Sequence, residues 1–352
     1  MATRWGICSA GKISHDFLVA LKTLPATEHQ AVAIAARDLA RAQDYAQKHG
    51  IPRAYGSYEE LAQDPDVDVV YVGVIHPEHL PVGRLFLGAG KPVLLEKPLG
   101  MNAAEVRELV QLAQSHGVFL MEAYWTRFFP ASERLYSLLS QGALGELKVV
   151  RAEFGAPLSG CPRIVQKELG GGALLDIGCY CVQFTTMVFG ERPESILASG
   201  FLQPTGVDET LSVILNYRGK RQAVITCSVL TELPNQAAIS GTKGIIQLPS
   251  EMWSPTELVV NGQHEEFSLP PPAQPLNFPK STGLRYEAQH VRQCLLKGAR
   301  QAVLCSHPVT LLPAVMNVVL SELGERRHVI TLSVRRLPTQ ASIRWFHQGH
   351  IQ

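Results

Sequence analysis

Over the first 123 residues, short apolar runs alternate with stretches whose apolar residues recur at helical spacing. Runs at 5–9, 31–36, 68–74, 93–95 and 118–123 are continuous rather than alternating, the pattern of strands covered on both faces. Between the first two, Ile13, Phe17, Leu18 and Leu21 share one helical face, and a second helix is expected from 103 to about 115. Strand-helix alternation of this kind predicts a doubly wound parallel sheet. Around 142–147 the pattern changes to strand after strand: 149–154, 196–200, 210–216, 222–228, 236–239, 244–248 and 258–260. That succession predicts a mostly antiparallel sheet, interrupted by a helix from about 170 to 188 and followed by another at 286–296. The fold class is therefore α/β, a doubly wound parallel sheet joined to an α+β unit with an open sheet. We divide the chain into 1–123, 124–300 and a divergent segment, 301–352, that is expected to be partly disordered.

The chain's 352 residues exceed one ordinary core, and two lobes leave a cleft between them. With 46% hydrophobic residues, 18% charged residues and a net charge of +1, nothing recruits nucleic acid or an anionic membrane. The most apolar segment, 311–320, is too short to span a bilayer, and residues 1–6 lack the apolar core of a secretory signal, so a cytoplasmic protein is expected. Seven scattered cysteines without a CxxC pair read as free thiols.

Candidate chemistry collects at the ends of the first strands. Ser9-Ala10-Gly11-Lys12-Ile13-Ser14 is a turn of small residues opening a helix, where backbone N–H groups and the helix dipole favour a pyrophosphate. Ser9 and Ser14 stand where a dinucleotide fingerprint has its first and last small residues, and Gly11 keeps the middle one. After the second strand comes Arg37 rather than a ribose-binding carboxylate, with Arg41 one turn later; both suit the 2′-phosphate of NADP. Asp38 reads as the N-cap of the next helix. His76 and His79 follow the third strand; without further ligands nearby they read as a cofactor-contacting turn and helix cap, not a metal site. The strand at 93–95 runs into Glu96-Lys97-Pro98, placing a Glu-Lys pair on the rim where open α/β sheets bind ligands. The aromatic run 124–130, with Trp125 and Arg127, leaves the sheet at the same edge and is a candidate pocket wall. In the second unit, Gly170-Gly171-Gly172 opens a helix on which Asp176 and Tyr180 share one face. Ser240-Gly241-Thr242-Lys243-Gly244, flanked by strands, reads as a hairpin turn rather than a phosphate loop.

Glu96-Lys97-Pro98 after a βαβ unit, and 171–180 at a distance from it, resemble the Gfo/Idh/MocA oxidoreductase family. The segments 36–38, 54–61, 125–130, 181–184 and 241–244 carry the same resemblance, which runs from Arg4 to about Gly298. It implies a Rossmann domain with NADP, a second domain whose open sheet forms a homodimer face, and oxidation of a small diol or sugar: trans-dihydrodiols of aromatic hydrocarbons to catechols, or pentoses such as D-xylose to lactones. Lys97 and Tyr180 match the family's catalytic pair; Trp125, Phe154, Asp176 and Ile177 match or neighbour pocket positions. Tyrosine is a poor base at neutral pH, and the adjacent Lys97 ammonium is expected to lower its pKa. The competing readings are a catalytically silent NADP-binding sensor and, disfavoured by Arg37, a Rossmann-type methyltransferase.

Overall fold

The computed structural model describes residues 1–298, so the expectations for the carboxyl-terminal segment lie outside the described residues. Strands β1 (Thr3–Cys8), β2 (His29–Ala35), β3 (Arg53–Tyr55), β4 (Val69–Val72), β5 (Val93–Glu96) and β6 (Leu120–Ala123) form one parallel sheet in the order β3-β2-β1-β4-β5-β6. Because β1 lies between β2 and β4, the connections after β1 and β4 leave in opposite directions and open a crevice at the carboxyl ends of those strands. Helix α1 (Lys12–Leu21) starts at that crevice. Asp38 caps the helix Leu39–His49 as expected, its carboxylate accepting from the Ala40 N–H at 2.9 Å. The helix Tyr58–Gln63 was not expected, although Ser57 and Glu60 form a complete capping box.

The second sheet has eight strands: β7 (Leu147–Gly155), β8 (Ser195–Leu202), β9 (Asp208–Tyr217), β10 (Arg221–Ser228), β11 (Ala237–Gly241), β12 (Gly244–Leu248), β13 (Glu257–Val260) and β14 (Gln263–Glu266). Their order is β14-β13-β12-β11-β7-β10-β9-β8, antiparallel throughout except where β7 meets β10. Thr242 and Lys243 form the hairpin between β11 and β12, as read from the sequence. One face, with Val150, Ala152, Val213, Leu215, Ala223 and Ile225, is buried, and the helix Cys179–Phe189 packs against it. All residues of that helix are buried, and eight of its eleven are apolar, so no face of it is charged. The stretch Lys167–Phe189 is long and apolar enough to cross a membrane, yet it is the enclosed core of the second lobe.

This helix begins irregularly. Leu174–Gly178 forms a π turn, and the chain enters it through Gly172 at φ +123°. A Cβ on Gly172 would stand 2.4 Å from Asp208 Oδ1, while Asp208 Oδ2 accepts from the Leu174 N–H at 2.6 Å. Left-handed backbone and close approach thus both demand glycine here. Gly172→Ala is expected to lower stability by about 3 kcal/mol in urea unfolding; an unchanged midpoint would contradict this account of the turn.

Candidate functional site

A cavity of about 870 Å³ runs from the crevice at β1 and β4 into the cleft between the lobes. At its first end, Ser9, Gly11, Lys12 and Ile13 line the wall. Ser9 has φ +93°, a conformation that explains why a fingerprint loop has glycine there and which serine adopts at some cost. Gly11 is different: its φ is −101°, and a Cβ there would make only ordinary contacts with Ser9 Oγ (3.5 Å) and the Gly73 carbonyl (3.7 Å). Neither backbone nor neighbours require glycine at 11, and its lack of a side chain leaves the loop backbone open to the cavity. Ser14 presses on the strand end, where a Cβ on Gly73 would lie 2.7 Å from Ser14 Oγ, so the close approach requires glycine at 73.

Arg37 and Arg41 both border this end, with Tyr58 beside them. Arg41 Nη2 donates to the Ala10 carbonyl at 2.8 Å and Tyr45 Oη donates to the Gly11 carbonyl at 2.8 Å, so two side chains of the next helix brace the loop. No carboxylate takes the ribose position from within the strand end; Asp38 reaches the cavity wall but spends its side chain on its own helix.

Midway along the cavity the two lobes exchange charge. β5 delivers Glu96 and Lys97, and the π turn delivers Asp176. Lys97 Nζ donates to the Asp176 backbone carbonyl at 2.6 Å and lies 3.8 Å from Asp176 Oδ1. A π turn displaces carbonyls from the α-helical ladder, which suits this one to an outside donor. Arg163 also donates to Asp176 Oδ1, and His76 Nε2 lies 3.8 Å from the same oxygen. Burial pushes the Asp176 carboxyl upward, but Lys97, Arg163 and His76 outweigh it and bring it down to about 2. Burial likewise drives His76 down to about 3, so the imidazole is neutral, with Nδ1 against the Gly170 carbonyl at 2.9 Å. Glu96 is buried, accepts the Tyr71 hydroxyl at 2.6 Å and is raised by its burial; it braces the strand end as well as touching the cavity.

Tyr180 stands beside this group. Lys97 Nζ is 5.0 Å from the centre of its ring, and the Trp125 indole N–H donates to Tyr180 Oη at 3.1 Å. The phenol is raised well above its ordinary range, first by burial and then by Cys179 and Glu96, which outweigh the Trp125 bond. This corrects the expectation that Lys97 lowers it: the ammonium is committed to Asp176, and desolvation of the phenolate governs. Phe154, Ile177 and Trp125 complete the wall around it.

Two residues expected at the site lie outside the cavity wall. His79 is fully buried, and its ring bridges the Pro98 carbonyl (2.6 Å) and the Val74 carbonyl (3.2 Å), tying the β4 and β5 ends together. Arg127 is absent from the cavity wall, and its charge acts on Glu122 and on His290 of the helix Leu284–Leu296. Conversely, Arg163, Trp253 and Phe278 line the cavity without having been expected there. Trp253 stacks on Phe154 with ring centres 3.6 Å apart and planes 3° from parallel, an aromatic platform opposite the charged group. A tryptophan in the polar turn 251–256 was the available signal; nothing local distinguished Arg163.

Residues 3–124 match the model of an oxidoreductase family with an NAD-binding Rossmann fold, and residues 132–247 match the GFO/IDH/MocA C-terminal domain. The chain is 61% identical over 326 residues to trans-1,2-dihydrobenzene-1,2-diol dehydrogenase of Xenopus tropicalis, covering 92% of this chain and 99% of that one. It is 58% identical over 303 residues to the Homo sapiens protein of the same name, covering 86% and 91%. A 3-ketoreductase from Actinomadura kijaniata, solved in complex with NADP and TDP-benzene, superposes with a TM-score of 0.75 at 25% identity, covering 91% of this chain and 98% of that one. A nucleotide loop at the switch point, a Lys-Asp-Tyr group between lobes and both family domains in sequence lead to one conclusion: the chain belongs to the GFO/IDH/MocA family of nicotinamide-dependent oxidoreductases.

Proposed function

We propose that the chain is an NADP-dependent dehydrogenase oxidising trans-dihydrodiols of aromatic hydrocarbons to catechols, with D-xylose, oxidised to its lactone, as a second substrate. The observation that carries this reading is the approach of Lys97, from the first lobe, to Tyr180, from the second, beside the nucleotide loop. The Phe154–Trp253 platform and Trp125 suit a flat ring, the relatives' name points the same way, and sugar faces stack on such surfaces too.

The cofactor, when bound, accepts the hydride. The residues fit it: Ser9 to Ile13 would hold the pyrophosphate, Arg37 and Arg41 the 2′-phosphate, and Lys97 a ribose hydroxyl. The chain's own part is the proton. As the carbinol carbon loses a hydride, its hydroxyl proton passes to the phenolate form of Tyr180, which the Trp125 N–H stabilises before it is protonated, and the hydroxy-dienone so formed tautomerises to the catechol. Asp176, held ionised by Lys97 and Arg163, accepts a second substrate hydroxyl and fixes the ring on the platform. With the phenol raised, its basic form is scarce at neutral pH, so oxidation accelerates as pH rises.

We further propose a homodimer through the open face of the second sheet. Leu197, Ile214 and Val224 lie side by side across β8, β9 and β10, half-exposed, and Phe201 is 63% exposed.

Tyr180→Phe is expected to lower turnover by two to four orders of magnitude, roughly, while NADP binding stays nearly intact. In the free protein, the wild-type minus Tyr180→Phe difference should show no phenolate absorbance below a pH of about 10. Wild-type turnover in the variant removes Tyr180 from the mechanism, and phenolate at neutral pH contradicts the raised phenol. Arg37→Ala should weaken NADP about tenfold or more and NAD hardly at all, as measured by fluorescence titration; equal losses would show that Arg37 does not read the 2′-phosphate. Ile214→Glu should convert the dimer to monomers in sedimentation velocity, and an unchanged sedimentation coefficient would place the interface elsewhere.

A further inference from the structure

Asp16 is a fully buried carboxylate in the second turn of α1, the helix whose amino end forms the nucleotide loop. Among the described residues no cation pairs with it. Its oxygens instead accept from a strap of chain that arrives from the far end of the second lobe. Asn277 donates its backbone N–H (2.9 Å) and its Nδ2 (2.8 Å), Phe278 its backbone N–H (2.8 Å) and Ser281 its hydroxyl (2.6 Å). The neighbouring His15 adds Nε2 against the Pro275 carbonyl at 2.9 Å. A buried charge is tolerable only when dipoles converge on it, so this carboxylate specifies one strap conformation and rejects others.

The strap's other side grips the second lobe. Lys280 Nζ bonds Thr256 Oγ1 at 2.9 Å and pairs with Glu251 at 2.6 Å, either side of Trp253. Phe278 and Ser281, the residues fastened to Asp16, form part of the cavity wall. One short segment thus joins the nucleotide-binding helix to the loop bearing the aromatic platform.

We propose that Asp16 is a positioning residue: through the strap it fixes Phe278 and the spacing between the nucleotide loop and the Phe154–Trp253 platform, and so sets affinity for the substrate rather than for the cofactor. The proposal rests on the dehydrogenase reading for its kinetic test, and on the hydrogen bonds alone for its physical one.

Asp16→Asn places an amide N–H₂ among donors and should raise KM for a trans-dihydrodiol about tenfold while kcat and the NADP⁺ dissociation constant change by about twofold or less. In a Phe278→Ala background the same substitution should cost much less, because the wall it positions is gone. Ser281→Ala, which deletes one donor and serves if Asp16→Asn does not fold, should raise KM about threefold with the same non-additivity. An unchanged KM, an equal loss in the Phe278→Ala background, or a loss confined to NADP⁺ affinity would overturn the proposal. If the wild-type protein oxidises no diol, hydrogen exchange still decides. The amides of Asn277 and Phe278 should exchange faster in Asp16→Asn, together with those of 251–256; protection equal to wild type overturns the clasp.

Discussion

A partly buried ammonium from one lobe reaching a carbonyl and a carboxylate of the other is the constraint around which this molecule is arranged. Lys97 leaves the end of a fully buried parallel strand, and Asp176 sits in a π turn at the start of an enclosed helix. Each charge is stabilised by the other in such surroundings, and Arg163 still pairs with Asp176 when Lys97 is removed. The pair therefore needs both lobes in place, and Arg163 and the neutral His76 complete its surroundings. Glycines at 170–172, demanded by a turn that packs against Asp208, Ile164 and His76, bring the helix start to the meeting point.

The same desolvation that makes the charges interdependent also acts on Tyr180. Its phenol is surrounded by Trp125, Phe154 and Tyr124 rings and accepts a hydrogen bond from the Trp125 indole. An ammonium 5.0 Å from the ring centre but bonded elsewhere does not offset that burial. The site is accordingly built around a protonated phenol beside an ionised carboxylate, two acids pushed apart by their surroundings. In the proposed mechanism this separation gives proton transfer to the phenol and substrate anchoring to the carboxylate.

Much of this was legible in the chain. The parallel sheet follows from continuous apolar runs, because strands covered on both faces carry no polar alternation, and β5 ends at Glu96, before the Lys97 and Pro98 that suggested its limit. β3 was not legible, since its residues Arg53, Ala54 and Tyr55 are only half-buried and form no apolar run. The loop stood out because small residues at Ser9, Gly11 and Ser14 match a dinucleotide fingerprint; Ser9 and Gly11 line the cavity, while Ser14 packs against Gly73. His79 was assigned to the cofactor because a histidine after a strand end looks the same whether it faces a ligand or two backbone carbonyls. Trp253 and Phe278 escaped because their neighbours in space are distant in sequence, and the strap that carries Phe278 reads only as polar connection. The direction of the Tyr180 shift escaped for a related reason: spacing shows which groups meet, whereas burial decides which charge survives there.

The central claim is that Lys97 and Tyr180 act at one locus on one hydride-transfer step. Single-turnover reduction of NADP⁺ by a trans-dihydrodiol in Lys97→Met tests it most directly. The account predicts a fall in the transfer rate of about a hundredfold or more, with NADP⁺ still bound and the two-lobed fold retained. A transfer rate equal to wild type would contradict it.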